Sequence, residues 1–399
     1  MLAKHSPYQG LISKLIALLL ISTLAACSGG NGASVSPVIA SCVLIDNDYD
    51  IDDMQAIPLV IGNKYVAAII QSEGYTLPEA GAAAVAQLVN NLPDQPSQRK
   101  IPIIVGGKQG ASGNQNLSTW GWLPFFRSMM NLSNGLLTSL PTPAPTDPAY
   151  VSKVVESVAN CQNVSILVIG TYTSFINYID AIRAKVDRVV IMGQAIGDNS
   201  RTPGKNSFNC NYDLPACQRA MVQLEGLNTF FVDIPRDDGA DPNLPRNACL
   251  GLNPSPNCYN PSYEMVAGVN GSGGLLNAGL PGRLKQALIN QTPCNDLYTS
   301  GMPEIPTAVP QSTCSGLSTW VPQNVAAGPG GEMLLWDQTA AIFLINPDIF
   351  SLYYPPNNPS IGGKHYEPTV VNNSYAETAT RLRALWTQYT NSSVNFVNQ

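Results

Sequence analysis

Asp46, Asp48, Asp50, Asp52 and Asp53 fall within one short run, Val-Leu-Ile-Asp-Asn-Asp-Tyr-Asp-Ile-Asp-Asp. Only 12% of the residues are charged, so no other stretch approaches this density of acids. Carboxylates packed so closely repel unless a cation sits among them, and their hard oxygens suit Ca²⁺ or Mg²⁺. A plain acidic surface loop is the alternative reading. An EF-hand fits poorly: its sixth position needs Gly where Ile51 stands, and its twelfth needs Glu where Ile57 stands.

Histidine is almost missing. Of two in the chain, His5 lies in the N-terminal leader, so only His365 remains for the body of the protein. Serine–histidine triads, histidine-rich metal sites and histidine acid–base pairs are thereby nearly excluded. His365 lies in Gly-Gly-Lys-His-Tyr-Glu-Pro, which reads as a turn-like surface segment remote from chemistry. Catalysis would rest on carboxylates, a metal, aromatic rings and amides. A formal net charge of −6 without a basic patch argues against nucleic acid as a partner.

An apolar run precedes the acids and a helix-like run starting at Met54 follows them, so they fall at the C-terminal end of a strand. Open α/β sheets keep their binding crevices there. Strand-like runs at Val43–Ile45, Val66–Gln71, Ile101–Val105, Val164–Ile169, Arg188–Met192 and Thr229–Ile234 are short, β-branched and nearly continuous in apolar character. Between them, Pro78–Asn90 is an alanine-rich helix. Tyr150–Ala159 carries valines at helical spacing behind Asp147-Pro148. A last helix opens at Ser374 with a capping-box pattern and presents Leu382, Leu385, Trp386 and Tyr389. The alternation predicts an α/β fold with a doubly wound, mostly parallel sheet. Residues 239–331, rich in Pro, Asn, Gly and Ser, interrupt the rhythm as a disulfide-stapled, loop-rich insertion.

Residues 1–26 read as an export signal, with Lys4 and Lys14 ahead of a short apolar run. Leu24-Ala25-Ala26-Cys27 resembles the bacterial lipobox, which implies cleavage before Cys27 and a lipid on that cysteine. Residues 27–41 would be a flexible tether and 42–399 the folded domain, anchored to a bacterial membrane and facing the periplasm or cell surface. Beyond Cys27 the cysteines are Cys42, Cys161, Cys210, Cys217, Cys249, Cys258, Cys294 and Cys314, with no Cys-x-x-Cys pair. In an exported chain that favours disulfides over zinc. Cys42 and Cys161 each precede a predicted strand, and the common doubly wound order sets those strands side by side. They are therefore expected to pair, leaving Cys210–Cys217, Cys249–Cys258 and Cys294–Cys314 as the shortest loops.

The run Asp46-Asn-Asp48-Tyr-Asp50-Ile-Asp52-Asp53 resembles the Asp-x-Asp-x-x-x-Asp-Asp signature of the inosine–uridine-preferring nucleoside hydrolase family. A haloacid-dehalogenase-type phosphatase would want Thr or Val where Asp50 sits, and fits worse. Further motifs come in the family's order. Ile169-Gly170-Thr171-Tyr172-Thr173-Ser174 is similar to its Thr-Gly-Pro-Leu-Thr-Asn, and Val189-Val190-Ile191-Met192-Gly193 to its Val-x-Met-Gly strand end. Ser207-Phe208-Asn209 with Asp213 is similar to its Glu-Phe/Trp-Asn-x-x-x-Asp. Leu335-Trp336-Asp337 resembles its late metal motif.

The resemblance implies a Ca²⁺ held by Asp48, Asp53, the Thr173 carbonyl and Asp337, with Asp48 also taking a proton from water attacking C1′. Asp52 and Asn209 would hold ribose hydroxyls. Trp336 stands where the pyrimidine-tolerant branch has His, as in the purine-preferring branch, so it would stack on the leaving base. Trp120 or Trp122 would supply the second wall. Asn199 is a further ribose-binding candidate. Two positions depart from the pattern: Ser207 replaces a Glu that contacts the 5′-hydroxyl, and Tyr75 stands where the family keeps Asn or Asp. Asp50 replaces the usual Gly. The implied protein is a Ca²⁺-dependent hydrolase of purine ribonucleosides acting on a small-molecule nucleoside, with self-association left open. Its rivals are a hydrolase of another N-riboside and a riboside-binding lipoprotein without turnover.

Overall fold

β-Branched, apolar segments bounded by turn residues form a sheet buried on both faces, as parallel strands covered by helices require. The computed structural model describes residues 38–50, 52–90, 100–109, 142–193, 208–232, 337–353, 364–369 and 371–372, with 381, 384–385 and 388–389 near the C-terminus. The chain divides into two units, Met1–Val38 and Ile39–Gln399, and everything below concerns the second.

The strands are β1 (Ile39–Asn47), β2 (Val66–Gln71), β3 (Ile103–Val105), β4 (Cys161–Val168), β5 (Val186–Met192), β6 (Thr229–Val232), β7 (Phe350–Tyr353) and β8 (Lys364–Pro368). Their order is β3-β2-β1-β4-β5-β6-β8-β7. The first six pair in parallel, β8 continues parallel to β6, and β7 closes the edge antiparallel to β8. The chain winds outward from β1 through β2 and β3, then restarts at β4 on the other side. The order therefore reverses between β1 and β4, the switch point at which such sheets bind ligands. This is the expected doubly wound α/β fold.

The helices are α1 (Asp53–Asn63), α2 (Pro78–Asn90), α3 (Tyr150–Ser157), α4 (Phe175–Ile182), α5 (Phe208–Tyr212), α6 (Leu214–Gln223) and α7 (Asp337–Ile345). Side-chain alternation along β1 explains what each face meets. Cys42 and Leu44 join Val154 of α3, Phe175, Tyr178 and Ile179 of α4, and Ala216 and Ala220 of α6 in one buried cluster. Val43 and Ile45 are buried on the opposite face.

Several sequence expectations need correction. β1 starts at Ile39, inside the expected tether, because Ile39 pairs with Cys161 and its N–H donates to Asn160 O at 2.9 Å. Cys42 and Cys161 therefore lie within their strands rather than ahead of them. They are bridged, with a Cα–Cα separation of 5.9 Å. Cys210 and Cys217 are bridged as well. β1 also runs on through Asp46 and Asn47, so the first acid belongs to the sheet. β3 begins at Ile103, and α3 ends at Ser157. His365 is in no turn: it belongs to β8, paired with Phe231 of β6 and Tyr353 of β7. The described positions of the last helix are helical, with Leu385 half-buried and Tyr389 buried. Ser374, residues 239–331, and the Cys249–Cys258 and Cys294–Cys314 pairings lie outside the described residues.

Candidate metal centre at the switch point

Strand β1 alternates into the crevice at its C-terminal end, and its last residues bind both neighbouring strands. Asp46 continues the face of Cys42 and Leu44, so its carboxylate meets α4: Tyr178 Oη donates to Oδ2 at 2.9 Å and Ser72 Oγ to Oδ1 at 2.6 Å. Ser174 Oγ lies 2.6 Å from Ser72 Oγ and accepts the Gly107 N–H at 2.8 Å. Asn47, on the other face, donates its Nδ2 to Ile70 O of β2 at 2.8 Å. The Asp46 carbonyl takes the Ile169 and Gly170 N–H groups at 2.8 and 3.2 Å. That seam is tight: a Cβ on Gly170 would come within 2.6 Å of Asp48 N, so no larger residue fits there.

Beyond the strand the chain turns sharply. Tyr49, wholly buried, has φ 54, a left-handed conformation that a bulky L-residue rarely adopts. The turn folds the acids back on one another. Asp50 N donates to Asp53 Oδ2 at 2.9 Å, and Asp52 N to Asp50 Oδ1 at 2.9 Å. Asp53 is the first residue of α1 and Asp337 the first of α7, so two helix N-termini point into the cluster. Asp52 Oδ2 accepts the Asp337 N–H at 3.1 Å, tying α7 to α1 across the crevice. Helix N-termini favour anions, which explains how so many acids are tolerated.

Carboxylate oxygens of Asp50, Asp52, Asp53 and Asp337 all lie within 4.8 Å of one another, and all four residues are buried. Burial and mutual repulsion push their carboxyls upward: Asp50, Asp53 and Asp337 are well above the ordinary carboxylate value. Burial, with repulsion from Asp50, pushes Asp48 up to about 8. Burial outweighs the Ser72 and Tyr178 hydrogen bonds in pushing Asp46 up to about 7. Asp53 Oδ1 and Asp337 Oδ1 are buried without a hydrogen-bond partner. Buried carboxylate oxygens without donors, converging from two helix ends, are the donor set a hard divalent cation takes. The residues fit a metal.

The expected ligands divide. Asp53 and Asp337 are in the four-acid group, whereas Asp48 is not one of the four and accepts the Tyr75 N–H at 3.0 Å on Oδ2. A Cβ on Gly74 would lie 2.0 Å from that same Oδ2. Thr173 is on the loop after β4, where its carbonyl accepts Asn177 Nδ2 at 2.9 Å and its hydroxyl donates to Asp213 Oδ2 at 2.9 Å. Asn209 is buried, with Nδ2 on Ile169 O at 2.9 Å. Tyr75 is buried, and burial, followed by the charges of Asp50, Asp48, Asp52 and Asp337, raises its phenol well above the usual value. Its ring lies 4.4 Å from that of Phe208. Trp120, Trp122, Asn199, Ser207, Trp336 and Cys27 lie outside the described residues.

One participant carries little sequence signal, and another has a larger part than its place in the acidic run implies. Asp50 hydrogen-bonds the loop together and joins the metal-type group. Glu73, buried beside the crevice, accepts Tyr212 Oη at 2.9 Å and Gln109 N at 2.8 Å. The only signal for Glu73 was its position two residues past β2.

The fold is a doubly wound α/β sheet, and the buried acids at its switch point form a group that could hold a divalent cation. Residues 43–237 match the model of the Inosine-uridine preferring nucleoside hydrolase family, a family of enzymes that cleave N-ribosyl bonds. No curated protein sequence matches the chain. Among solved structures, the effector protein XOO4466 is similar at TM-score 0.50 and 12% identity, over 90% of this chain and 94% of its own, a likeness of fold. A purine-preferring ribonucleoside hydrolase from Gardnerella vaginalis is similar at TM-score 0.48 and 12% identity, over 88% of this chain and 99% of its own. An inosine-uridine preferring nucleoside hydrolase from Bacillus anthracis is similar at 0.46 and 12%, over 86% and 99%.

Proposed function

We propose that the protein hydrolyses the N-glycosidic bond of purine ribonucleosides with Ca²⁺ bound at the switch point. One observation carries this: the convergence of Asp50, Asp52, Asp53 and Asp337, with donor-free oxygens on Asp53 and Asp337, at the C-terminal end of β1. Asp53, Asp337, Asp48 and the Thr173 carbonyl are the proposed ligands, and the grouping of the acids adds Asp50 or Asp52 as a candidate. Bound there, a divalent cation supplies Lewis acidity that makes a nearby water easier to deprotonate.

The chain's own residues do the rest. Asp48, at the rim of the group, takes the proton of the attacking water. Asp52 and Asn209 orient ribose hydroxyls, which brings C1′ to attack distance. The clustered carboxylates stabilise positive charge building on the sugar, as in glycoside hydrolysis. His365 belongs to β8, four strands from β1 in the sheet, so base departure relies on stacking by Trp336, with Trp120 or Trp122 opposite, and on protonation of a purine nitrogen from solvent. A π face favours a cationic purine over a neutral one.

A panel of ribonucleosides with Ca²⁺, scored for free base and ribose, tests this. Inosine, adenosine or guanosine should far outpace uridine, and exhaustive chelation should abolish turnover. Activity surviving chelation would end the metal-assisted mechanism; uridine cleaved as fast as inosine would end the stacking argument. Tyr75, buried against the acids where the family keeps a smaller polar residue, favours a second reading, cleavage of another N-riboside. Broadening the panel beyond nucleosides decides between them.

We further propose that the protein is exported and lipid-anchored through Cys27, a reading supported by two disulfides among the described residues, since such bridges persist in oxidising compartments. Fatty-acid labelling that persists in Cys27→Ala would overturn it.

A further inference from the structure

Helix α5 spans five described residues, and it and the residue after it reach the crevice from four positions. Asn209 Nδ2 binds the carbonyl of Ile169 just past β4, and Tyr212 Oη binds Glu73, each at 2.9 Å. The Phe208 ring lies 4.4 Å from Tyr75 and 5.6 Å from Tyr212. Asp213 accepts the Thr173 hydroxyl at 2.9 Å and caps α6 by accepting Ala216 N at 3.2 Å. So short a helix has little hydrogen bonding of its own to hold its pitch. The corner between α5 and α6 is closed instead by Cys210–Cys217, a bridge between residues seven apart, with both cysteines wholly buried.

We propose that the Cys210–Cys217 disulfide is a positioning device for the substrate crevice, fixing α5 so that Asn209 and Phe208 keep their places beside the acids. Two comparisons set it apart from a general stabiliser. It closes a short loop, whereas Cys42–Cys161 spans 119 residues, and the chain-entropy effect of a bridge grows with its loop. It also adjoins Asn209, whereas Cys42 and Cys161 sit toward the N-terminal ends of β1 and β4, away from the crevice. The inference rests on the reading of the crevice as a riboside site.

The test compares the full chain with two double variants, C210A/C217A and C42A/C161A. Its readouts are inosine KM and kcat, thermal midpoint, and amide hydrogen exchange across residues 208–217. C210A/C217A should raise KM about 10-fold or more, with a smaller fall in kcat, because a misplaced hydroxyl-binding residue weakens orientation first. It should also speed exchange in 208–217 and lower the midpoint less than C42A/C161A does. The latter should leave KM unchanged. Unaltered KM and exchange in C210A/C217A would overturn the proposal, as would a KM rise shared equally by both variants. If C210A/C217A does not fold, C210V/C217A, which restores some of the buried volume, takes its place under the same criteria. A wild-type protein that cleaves no riboside would sink the functional reading instead, and exchange in 208–217 alone would then decide the role of the bridge.

Discussion

At the residue scale the metal centre is a problem of crowding. Asp53 and Asp337 each present a buried oxygen with no donor, while Asp48 stands one step aside and accepts the Tyr75 N–H. In the proposed mechanism Asp53 and Asp337 only hold the cation, while Asp48 has proton transfer as a second task. Asp53→Asn or Asp337→Asn should abolish calorimetrically measured Ca²⁺ binding. Asp48→Ala should cut turnover by roughly 10²–10⁴-fold, the usual worth of a positioned acid–base group, in a protein that stays folded. Asp48→Ala with wild-type kcat would remove it from the mechanism. Gly74 offers a finer probe, since a Cβ there would lie 2.0 Å from Asp48 Oδ2. Gly74→Ala should cost about 1–3 kcal/mol of stability by denaturant unfolding and displace the carboxylate as well. Which acids matter was legible, because clustered hard oxygens have few other uses. How they group was not, since that depends on the left-handed turn at Tyr49, and nothing in a bulky side chain announces positive φ.

At the element scale, the pieces that position the site come from three separate stretches. Strand β1 delivers Asp46 to Asp50, while α1 and α7 contribute Asp53 and Asp337 at their first turns, and the loop after β4 brings Thr171 and Thr173. Strands β1, β2, β4 and β5 and helix α2 were legible because long apolar runs and an alanine-rich segment admit few readings. Strands β7 and β8 were not. They are short, Lys364–Pro368 alternates weakly behind two glycines, and their partners, β6 and each other, are defined only by the finished sheet. The Cys42–Cys161 bridge was legible from strand order alone. Replacing both cysteines with alanine should remove on the order of 4–5 kcal/mol on the chain-entropy account while leaving kcat intact. An unchanged thermal midpoint would show that the bridge constrains nothing the sheet does not already hold.

At the scale of the whole molecule, the acids couple stability to pH. In the metal-free protein, burial holds Asp46 at about 7 and Asp48 at about 8, with Asp50, Asp53 and Asp337 also raised. A carboxyl whose folded value lies above its unfolded one binds more protons in the native state. Its contribution is complete below about pH 4 and is lost as pH rises through the folded value. Chelated protein should therefore melt at a lower temperature at pH 8.5 than at pH 6, as read by calorimetry, and Ca²⁺ should flatten or reverse that slope. A chelated protein whose midpoint holds steady between those values would mean the charges are relieved by other means.

The reversal of strand order at the site also bears on how the chain comes to be made. On one side β1 finds β2 within a few tens of residues, but its partner on the other side lies far along the sequence, with Cys42 and Cys161 separated by 119 residues. Such a pairing has high contact order and is slow to form. Until β4 arrives, the strand bearing the acids has an open hydrogen-bonding edge in the nascent chain. The carboxylate of Asp46 on the strand, with those of Asp48 and Asp50 just past its end, then serves a second purpose, because charge at an exposed strand edge discourages its pairing with another chain. The residues suited to gripping a cation in the finished protein would thus act as gatekeepers against aggregation while it is still being built.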